Sequence, residues 1–303
     1  MRILITGGAG FIGSHLIEHF QNDAEIIVLD NLRSGYRKNL EGFAHQFIEG
    51  SITDRAAVDH AMEGVDLVFH LAAMISVPES MAAPSECVDI NVNGLLNVLE
   101  SAAIAGAKKL VLASSAAIYG DNPTVPKMET MIPEPKSPYA VTKLDGEYYL
   151  EMFRREHGLD TASLRFFNVF GPRQDPGSAY AAAIPIFMRC AFAGEDITIF
   201  GDGEQTRDFI HVKDIVAALV HIATRPALHG TFNVGYGKSM TVNQLASDII
   251  RLSSSSSEVV HLPERSGDVK HSRASIDKLL ASGFRHVSSL EEGLVETLDF
   301  FRP

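Results

Sequence analysis

The sequence predicts an α/β fold: a doubly wound parallel sheet joined to a smaller domain of mixed α/β structure. Three observations carry this. Short aliphatic runs alternate with segments of helical spacing through the first half of the chain. A glycine-rich stretch, "GGAGFIG", lies between the first strand-like run and the first helix-like one. The alternation stops after about Gly171, beyond which short strands and turns are mixed.

In order, "RILIT" (2–6) is a short apolar strand and "FIGSHLIEHF" the helix after it. "EIIVLD" (25–30) is a second buried strand, "HQFIEG" (45–50) a weaker third, and "RAAVDHAMEG" (55–64) a helix. "DLVFHLAA" (66–73) returns to strand. Residues 84–106 are expected to form one long helix, followed by a strand at 109–113. A helix should begin near Ser137 and run to about His157, with the next strand inside "TASLRFFNVFG" (161–171). Strands this apolar, separated by helices, suit a parallel sheet covered on both faces. Further on, "GPRQDPGSAY" is loop-like, "AAIPIFMRCAFAG" helical, and "SSSSS" (253–257) a solvent loop. The expected partition is residues 1–170 with about 208–240 in the first domain, and about 171–207 with 241–303 in the second.

At 303 residues and 46% apolar composition the chain can bury a large core. Its formal net charge of −12 disfavours general binding to nucleic acid or anionic membranes. Any phosphate must be held by local cations or backbone N–H groups. Cys87 and Cys190 are far apart and form no CxxC, which suits free thiols in a reducing cytoplasm. The twelve histidines show no HxxxH or HExxH spacing, so no metal site is expected. The N-terminus enters a strand at once, without a leader-like apolar region, and no apolar run approaches the ~18 residues of a membrane span.

"GGAGFIG" reads as Gly7-x-x-Gly10-x-x-Gly13 or as Gly8-x-Gly10-x-x-Gly13. Glycine permits the tight turn and lets a pyrophosphate approach the backbone, while the helix N-terminus offers N–H groups and partial positive charge. Alone the pattern is weak. Here strand, loop and helix follow in the required order, which makes the predicted sheet Rossmann-type. Asp30 ends the next strand, 17 positions past Gly13 and near the expected spacing of about 20. A carboxylate there accepts from the adenosine ribose and repels a 2′-phosphate, favouring NAD over NADP. Arg33 argues the other way, since a guanidinium nearby could hold that phosphate.

"SPYAVTK" places Tyr139 and Lys143 four apart on one helical face. A free phenol, with a pKa of about 10, is a poor base at neutral pH. A neighbouring ammonium should lower it, and so should an oxidised nicotinamide. Ser114 and Ser115 end the strand before, where ligands of doubly wound sheets bind. Ser115 could hydrogen-bond the substrate oxygen that Tyr139 deprotonates, whereas Ser114 is expected to satisfy a loop backbone group.

On these residues the sequence resembles the extended short-chain dehydrogenase/reductase family, and within it the nucleotide-sugar epimerases. "GGAGFIG", "HLAA", "SSAAIYG", "SPYAVTK", "RFFNVFGPRQ" and "RDFIHVKD" occur in the family's order across essentially the whole chain. The resemblance implies a catalytic trio of Ser115, Tyr139 and Lys143, and tightly bound NAD. It implies NAD contacts from Gly7, Gly10, Phe11, Ile12, Gly13, Asp30, Asn31, Ser34, Gly35, Leu71, Ala72, Ala73 and Phe167, besides Tyr139 and Lys143. The family's Gly-Asp before the adenine-contacting aliphatic residue is here Gly50-Ser51-Ile52, so Ser51 must replace a carboxylate.

The resemblance also narrows the reaction. Dehydratases of this kind carry Asp-Glu directly after the catalytic Ser or Thr, and Ala116 and Ala117 stand there instead. What remains is reversible oxidation at C4 through a 4-keto sugar. Asn168, Arg207, Arg265 and Asp268 match positions that hold a uridine diphosphate, two guanidiniums suiting the phosphates and a carboxylate the ribose. A salt bridge from Arg207 to Asp208 or Asp214 is the structural alternative. Ser272 falls where a bulky Tyr would exclude an N-acetyl group, so UDP-GlcNAc and UDP-GalNAc are the expected pair, with UDP-Glc and UDP-Gal also accepted. Rival readings are a UDP-glucuronate epimerase or decarboxylase on this scaffold, and a non-catalytic NAD-binding sensor. Surplus apolar residues on the helices at 84–106 and 137–157 suit either interior packing or pairing with a second copy, and the resemblance implies a homodimer.

Overall fold

A computed structural model of the chain describes residues 1–175, 183–264 and 270–302. The first half runs β1 (Arg2–Thr6), α1 (Phe11–Phe20), β2 (Glu25–Asp30), β3 (Gln46–Glu49), α2 (Arg55–Ala61), β4 (Leu67–His70), α3 (Val77–Ala82), α4 (Pro84–Val88), α5 (Gly94–Ala105), β5 (Lys109–Ser115), α6 (Pro138–His157) and β6 (Asp160–Phe166). It continues with β7 (Asn168–Phe170), α7 (Ala183–Ala193), β8 (Ile197–Phe200), β9 (Thr206–Arg207), β10 (Phe209–His211), α8 (Val212–Ala223), β11 (Gly230–Val234), β12 (Met240–Thr241), α9 (Val242–Ser253), β13 (Val259–Leu262), α10 (Asp277–Ala281) and α11 (Leu290–Phe301).

Seven strands form one sheet in the order β11-β6-β5-β4-β1-β2-β3. β1 pairs in parallel with β2 and β4, β2 with β3, β4 with β5, and β5 with β6. The chain begins at β1, steps outward to β3, and crosses back to β4. The strand order therefore reverses between β1 and β4, and a doubly wound sheet opens its ligand crevice at that point, beyond the strand ends. Strand residues Leu4, Ile27, Leu29, Val68, Leu110 and Leu112 pack against Val58, Leu95, Val98, Leu99, Leu150 and Phe153 of the helices. Each such side chain contributes about 1.5–3 kcal/mol by leaving water.

The expected single helix over 84–106 is interrupted. α4 ends at Val88, a π turn spans Asp89–Asn93, and α5 follows to Gly106, whose left-handed φ of +72° stops it. Periodicity cannot register one wider turn inside a continuous apolar face, and such turns often mark functional positions.

The chain divides into two units, one of residues 1–120, 132–166 and 216–232, the other of 121–131, 167–215 and 233–303. The second has its own core, with Phe170, Phe187, Met188, Ile197, Phe209, Leu245, Ile249 and Leu298 among its members. The serine run is a loop from Ser254 on, as expected, but only Ser254 and Ser256 are exposed. Ser253 ends α9, Ser254 takes a left-handed conformation, Ser255 Oγ donates to Ala191 O at 2.7 Å, and Ser257 is buried. A low-complexity run gave no hint that alternate hydroxyls would have packing partners.

Candidate active site

β1 delivers the chain to Gly7, which turns with φ +72°. A Cβ there would lie 2.7 Å from Ala72 N, in the segment after β4, and one on Gly13 would lie 2.5 Å from Gly7 O. Glycine is what lets loop, helix and that segment close together. Leu71 N and Ala72 N fix the segment by donating to Thr6 O and Thr6 Oγ1, and Ala73 follows. Gly10 precedes α1 without a side-chain cap, and the first intrahelical bond runs from Ser14 N to Gly10 O. Phe11, Ile12 and Gly13 thus form an uncapped first turn, the setting a pyrophosphate takes.

Asp30 ends β2 beside this loop. Its Oδ2 accepts from Ala9 N and its Oδ1 from Leu32 N, each at 2.9 Å or less. Burial raises its pKa and those two bonds pull it back. Each oxygen retains a lone pair for a ribose hydroxyl. Asn31, Ser34 and Gly35 continue around the loop, and a Cβ on Gly35 would come within 2.8 Å of Ala9 C. Arg33 does not point toward a role in phosphate binding: Glu79 and Glu86 take its guanidinium at 2.7 and 2.5 Å and raise its pKa. Ser51 Oγ meets Thr53 Oγ1 at 2.8 Å, while Ile52 is buried against Gly94. These residues fit a dinucleotide.

At the end of β5, Ser115 caps the 3₁₀ turn Ala116–Tyr119 by accepting from Ala117 N at 3.1 Å. Ser137 caps α6 and Pro138 opens it, which brings Tyr139 into the first turn and Lys143 one turn later. Burial pushes the Tyr139 phenol above its ordinary pKa, and a hydrogen bond with Ser115 pulls it down. The expected acidification by Lys143 is not found in the protein by itself. Lys143 Nζ lies 5.8 Å from the ring centroid and donates to Ala113 O at 2.8 Å, and burial lowers its own pKa to about 8. An i, i+4 spacing sets the face, not where a long side chain finds its acceptor.

Ser114 departs from expectation too. Its hydroxyl donates to the buried carboxylate of Glu147 at 2.5 Å, not to a loop backbone group. Three further residues escaped sequence reasoning. Asn91, in the π turn, accepts from Met74 N at 2.7 Å and donates to Met74 O and Thr142 Oγ1, tying the post-β4 segment to α6. An asparagine inside an apolar helix was the available signal. Glu147 and Arg165 form a buried ion pair across α6 and β6, invisible to any local pattern.

The remaining candidates lie in the second unit. Phe167 N donates to Val234 O, and Asn168 N to Asp208 O. Arg207 Nη1 donates to Thr206 O at 3.0 Å. Asp208 is engaged by the backbone of Tyr236, Gly237 and Ala274, and Asp214 by Val287 N. Ser272 N donates to Thr206 O, so Ser272 and Arg207 occupy neighbouring backbone segments. Arg265 and Asp268 lie outside the described residues.

The arrangement has counterparts. Residues 3–235 match the family described as NAD dependent epimerase/dehydratase. The chain is 38% identical to a UDP-glucose 4-epimerase of Mycolicibacterium smegmatis, over 100% of this chain and 99% of that protein. A UDP-N-acetylglucosamine 4-epimerase from Methanobrevibacter ruminantium, solved with UDP-N-acetylmuramic acid, superposes with a TM-score of 0.96 at 41% identity, covering 99% of this chain and 97% of that one. A Thermus thermophilus UDP-glucose 4-epimerase in complex with NAD superposes with a TM-score of 0.92 at 37% identity, covering 100% and 99%. With the glycine loop, Asp30 and the Ser115–Tyr139 pair in place on the same fold, the chain belongs to the NAD dependent epimerase/dehydratase family and takes NAD as its cofactor.

Proposed function

We propose that this enzyme is a UDP-sugar 4-epimerase whose preferred pair is UDP-GlcNAc and UDP-GalNAc, with UDP-Glc and UDP-Gal also accepted. The observation that carries the reaction type is Ser115 at the end of β5, interacting with the Tyr139 phenol of α6 and followed by Ala116 and Ala117. That site holds a hydroxyl and a phenol for one sugar oxygen. It offers no carboxylate at those two positions for the proton transfers of dehydration. Full-length similarity to 4-epimerases supports the same reading.

Ser115 and Tyr139 hold the C4 hydroxyl, and Tyr139 takes its proton and later returns it to the same oxygen, once the 4-keto sugar has turned its other face to the cofactor side. Bound NAD would supply the hydride acceptor, and then donor, for C4, and its oxidised ring would favour ionisation of the phenol. Lys143, held by Ala113 O, orients the cofactor ribose. Asn168, Arg207, Arg265 and Asp268 are assigned to the diphosphate and ribose of the UDP-sugar, and Ser272 leaves room at C2. Two buried free thiols suit the cytoplasm. A homodimer through α5 and α6 would cover Ile104, Tyr148 and Met152, which are 80%, 59% and 50% exposed.

Initial rates with the acetylated and non-acetylated pairs, measured without added cofactor, test the substrate assignment. Conversion of UDP-GlcNAc at a comparable or higher rate is expected. A preference above about tenfold for the non-acetylated pair would overturn it, since that is the scale on which one pocket discriminates substituents.

A further inference from the structure

Beside the Ser115–Tyr139 pair lies a buried network that the reaction chemistry does not use. Glu147 sits one helical turn past Lys143 on α6, and Arg165 on β6 is the direct cross-strand neighbour of Ser114 on β5. Arg165 Nε donates to Glu147 Oε1 at 2.9 Å and Nη2 to Oε2 at 2.7 Å. Ser114 Oγ donates to Oε1, and Arg165 Nη1 donates to the Tyr119 hydroxyl at 2.8 Å. None of the four side chains belongs to a residue more than 8% exposed.

A buried ion pair is weak evidence for stability, because apolar residues of similar volume often serve as well or better. Direction is what such residues lack. The bidentate pair fixes α6 against β6, Ser114 extends the hold to β5, and Tyr119 to the 3₁₀ turn that Ser115 caps. β5 carries Ser115 and α6 carries Tyr139. Their hydroxyls must stay within hydrogen-bond reach of one another and of one sugar oxygen, and a shift of about 1 Å in such an arrangement costs about 10²-fold in rate.

We propose that Glu147 and Arg165 are positioning residues, whose bonds to Ser114 and Tyr119 hold Tyr139 of α6 in register with Ser115 of β5. The inference rests on Ser115 and Tyr139 being the catalytic pair. Glu147 and Arg165 act through geometry, by holding that pair, and take no part in binding substrate or cofactor.

Glu147→Gln is placed in the wild-type and Ser115→Ala backgrounds, with melting temperature and bound NAD measured for each protein. In the wild-type background kcat should fall about a hundredfold, with KM for the UDP-sugar changing less than about threefold. In the Ser115→Ala background, where no Ser115–Tyr139 register remains to be kept, the same change should cost less than about threefold. Equal losses in both backgrounds, or wild-type kcat in the single variant, overturn the proposal. If Glu147→Gln does not fold, Glu147→Leu with Arg165→Met replaces the pair by apolar packing. That protein should fold and show the same loss of kcat at nearly constant KM, and wild-type kcat in it overturns the proposal equally. Tyr139→Phe separates the two layers. Full turnover in that variant removes the catalytic reading itself, whereas an inactive Tyr139→Phe beside a fully active Glu147→Gln removes only the positioning claim.

Discussion

Tyr139 is a phenol whose burial favours its proton, opposed by a single hydrogen bond from Ser115. Removing Ser115 therefore leaves less of the phenol ionised at neutral pH and loosens the hold on the sugar. In Ser115→Ala the rise of kcat with pH should move to higher pH, with a loss of about 10²-fold at neutral pH; an unmoved limb would mean that Ser115 only binds. Tyr139→Phe should cost about 10²–10⁴-fold in kcat, with UDP-sugar binding largely kept, and wild-type turnover would contradict the assignment. His70 provides a test in stability. Burial, with Lys143 adding to it, pushes its pKa down to about 3 from 6.5. As pH falls below 6.5 the unfolded chain gains a proton that the fold refuses, so folding weakens by about 1.4 kcal/mol per pH unit until about pH 3. In urea unfolding between pH 6.5 and 4.5, wild type should lose more stability than His70→Asn, and parallel curves would contradict this. Tyr139, Lys143 and Ser115 were legible because their spacing and strand-end position are local. What they bond was not. Lys143 reaches Ala113 O, and Ser114 reaches a carboxylate 33 residues away.

Among the elements, strands β1 to β6 and helices α1, α2 and α6 followed from period, because buried parallel strands are short and apolar and the covering helices amphipathic; α3 (Val77–Ala82) was not anticipated. The π turn at Asp89–Asn93 did not, since an added residue leaves composition unchanged. The turn from β1 into α1 is closely packed. Gly13→Ala would put a methyl 2.5 Å from Gly7 O and 2.6 Å from Gly8 Cα, both backbone atoms that cannot swing aside. The variant should be destabilised by about 1–3 kcal/mol and should release less NAD on denaturation than wild type. Full NAD content at an unchanged melting temperature would show that the loop tolerates the shift. At α6, Arg165→Met alone strands the Glu147 carboxylate and should cost about 3–5 kcal/mol, whereas Arg165→Met with Glu147→Leu should be near neutral. Chemical denaturation distinguishes these, and equal losses would contradict a buried ion pair.

Over the whole molecule, the two units interleave along the chain. Residues 121–131 belong with the second and 216–232 with the first, an arrangement that hydrophobic period cannot reveal because it depends on contacts far apart in sequence. Sequence named Arg207, Ser272 and Asn168 through motif resemblance, while no local pattern showed that Asp208 would bind the backbone of Tyr236, Gly237 and Ala274. The proposed homodimer would cover the exposed Tyr148 and Met152, four apart on α6. Light scattering should give a dimer for wild type and a monomer for Tyr148→Glu with Met152→Glu; a wild-type monomer would contradict the dimer. The central claim is that one sugar oxygen loses and regains its proton at Tyr139 while the hydrogen on C4 never meets solvent. Mass spectrometry of UDP-GlcNAc incubated with the enzyme in heavy water, without added NAD, tests it most directly. UDP-GalNAc with no deuterium bound to carbon is the expected product. Product carrying a carbon-bound deuterium, or product that has lost water, would contradict it.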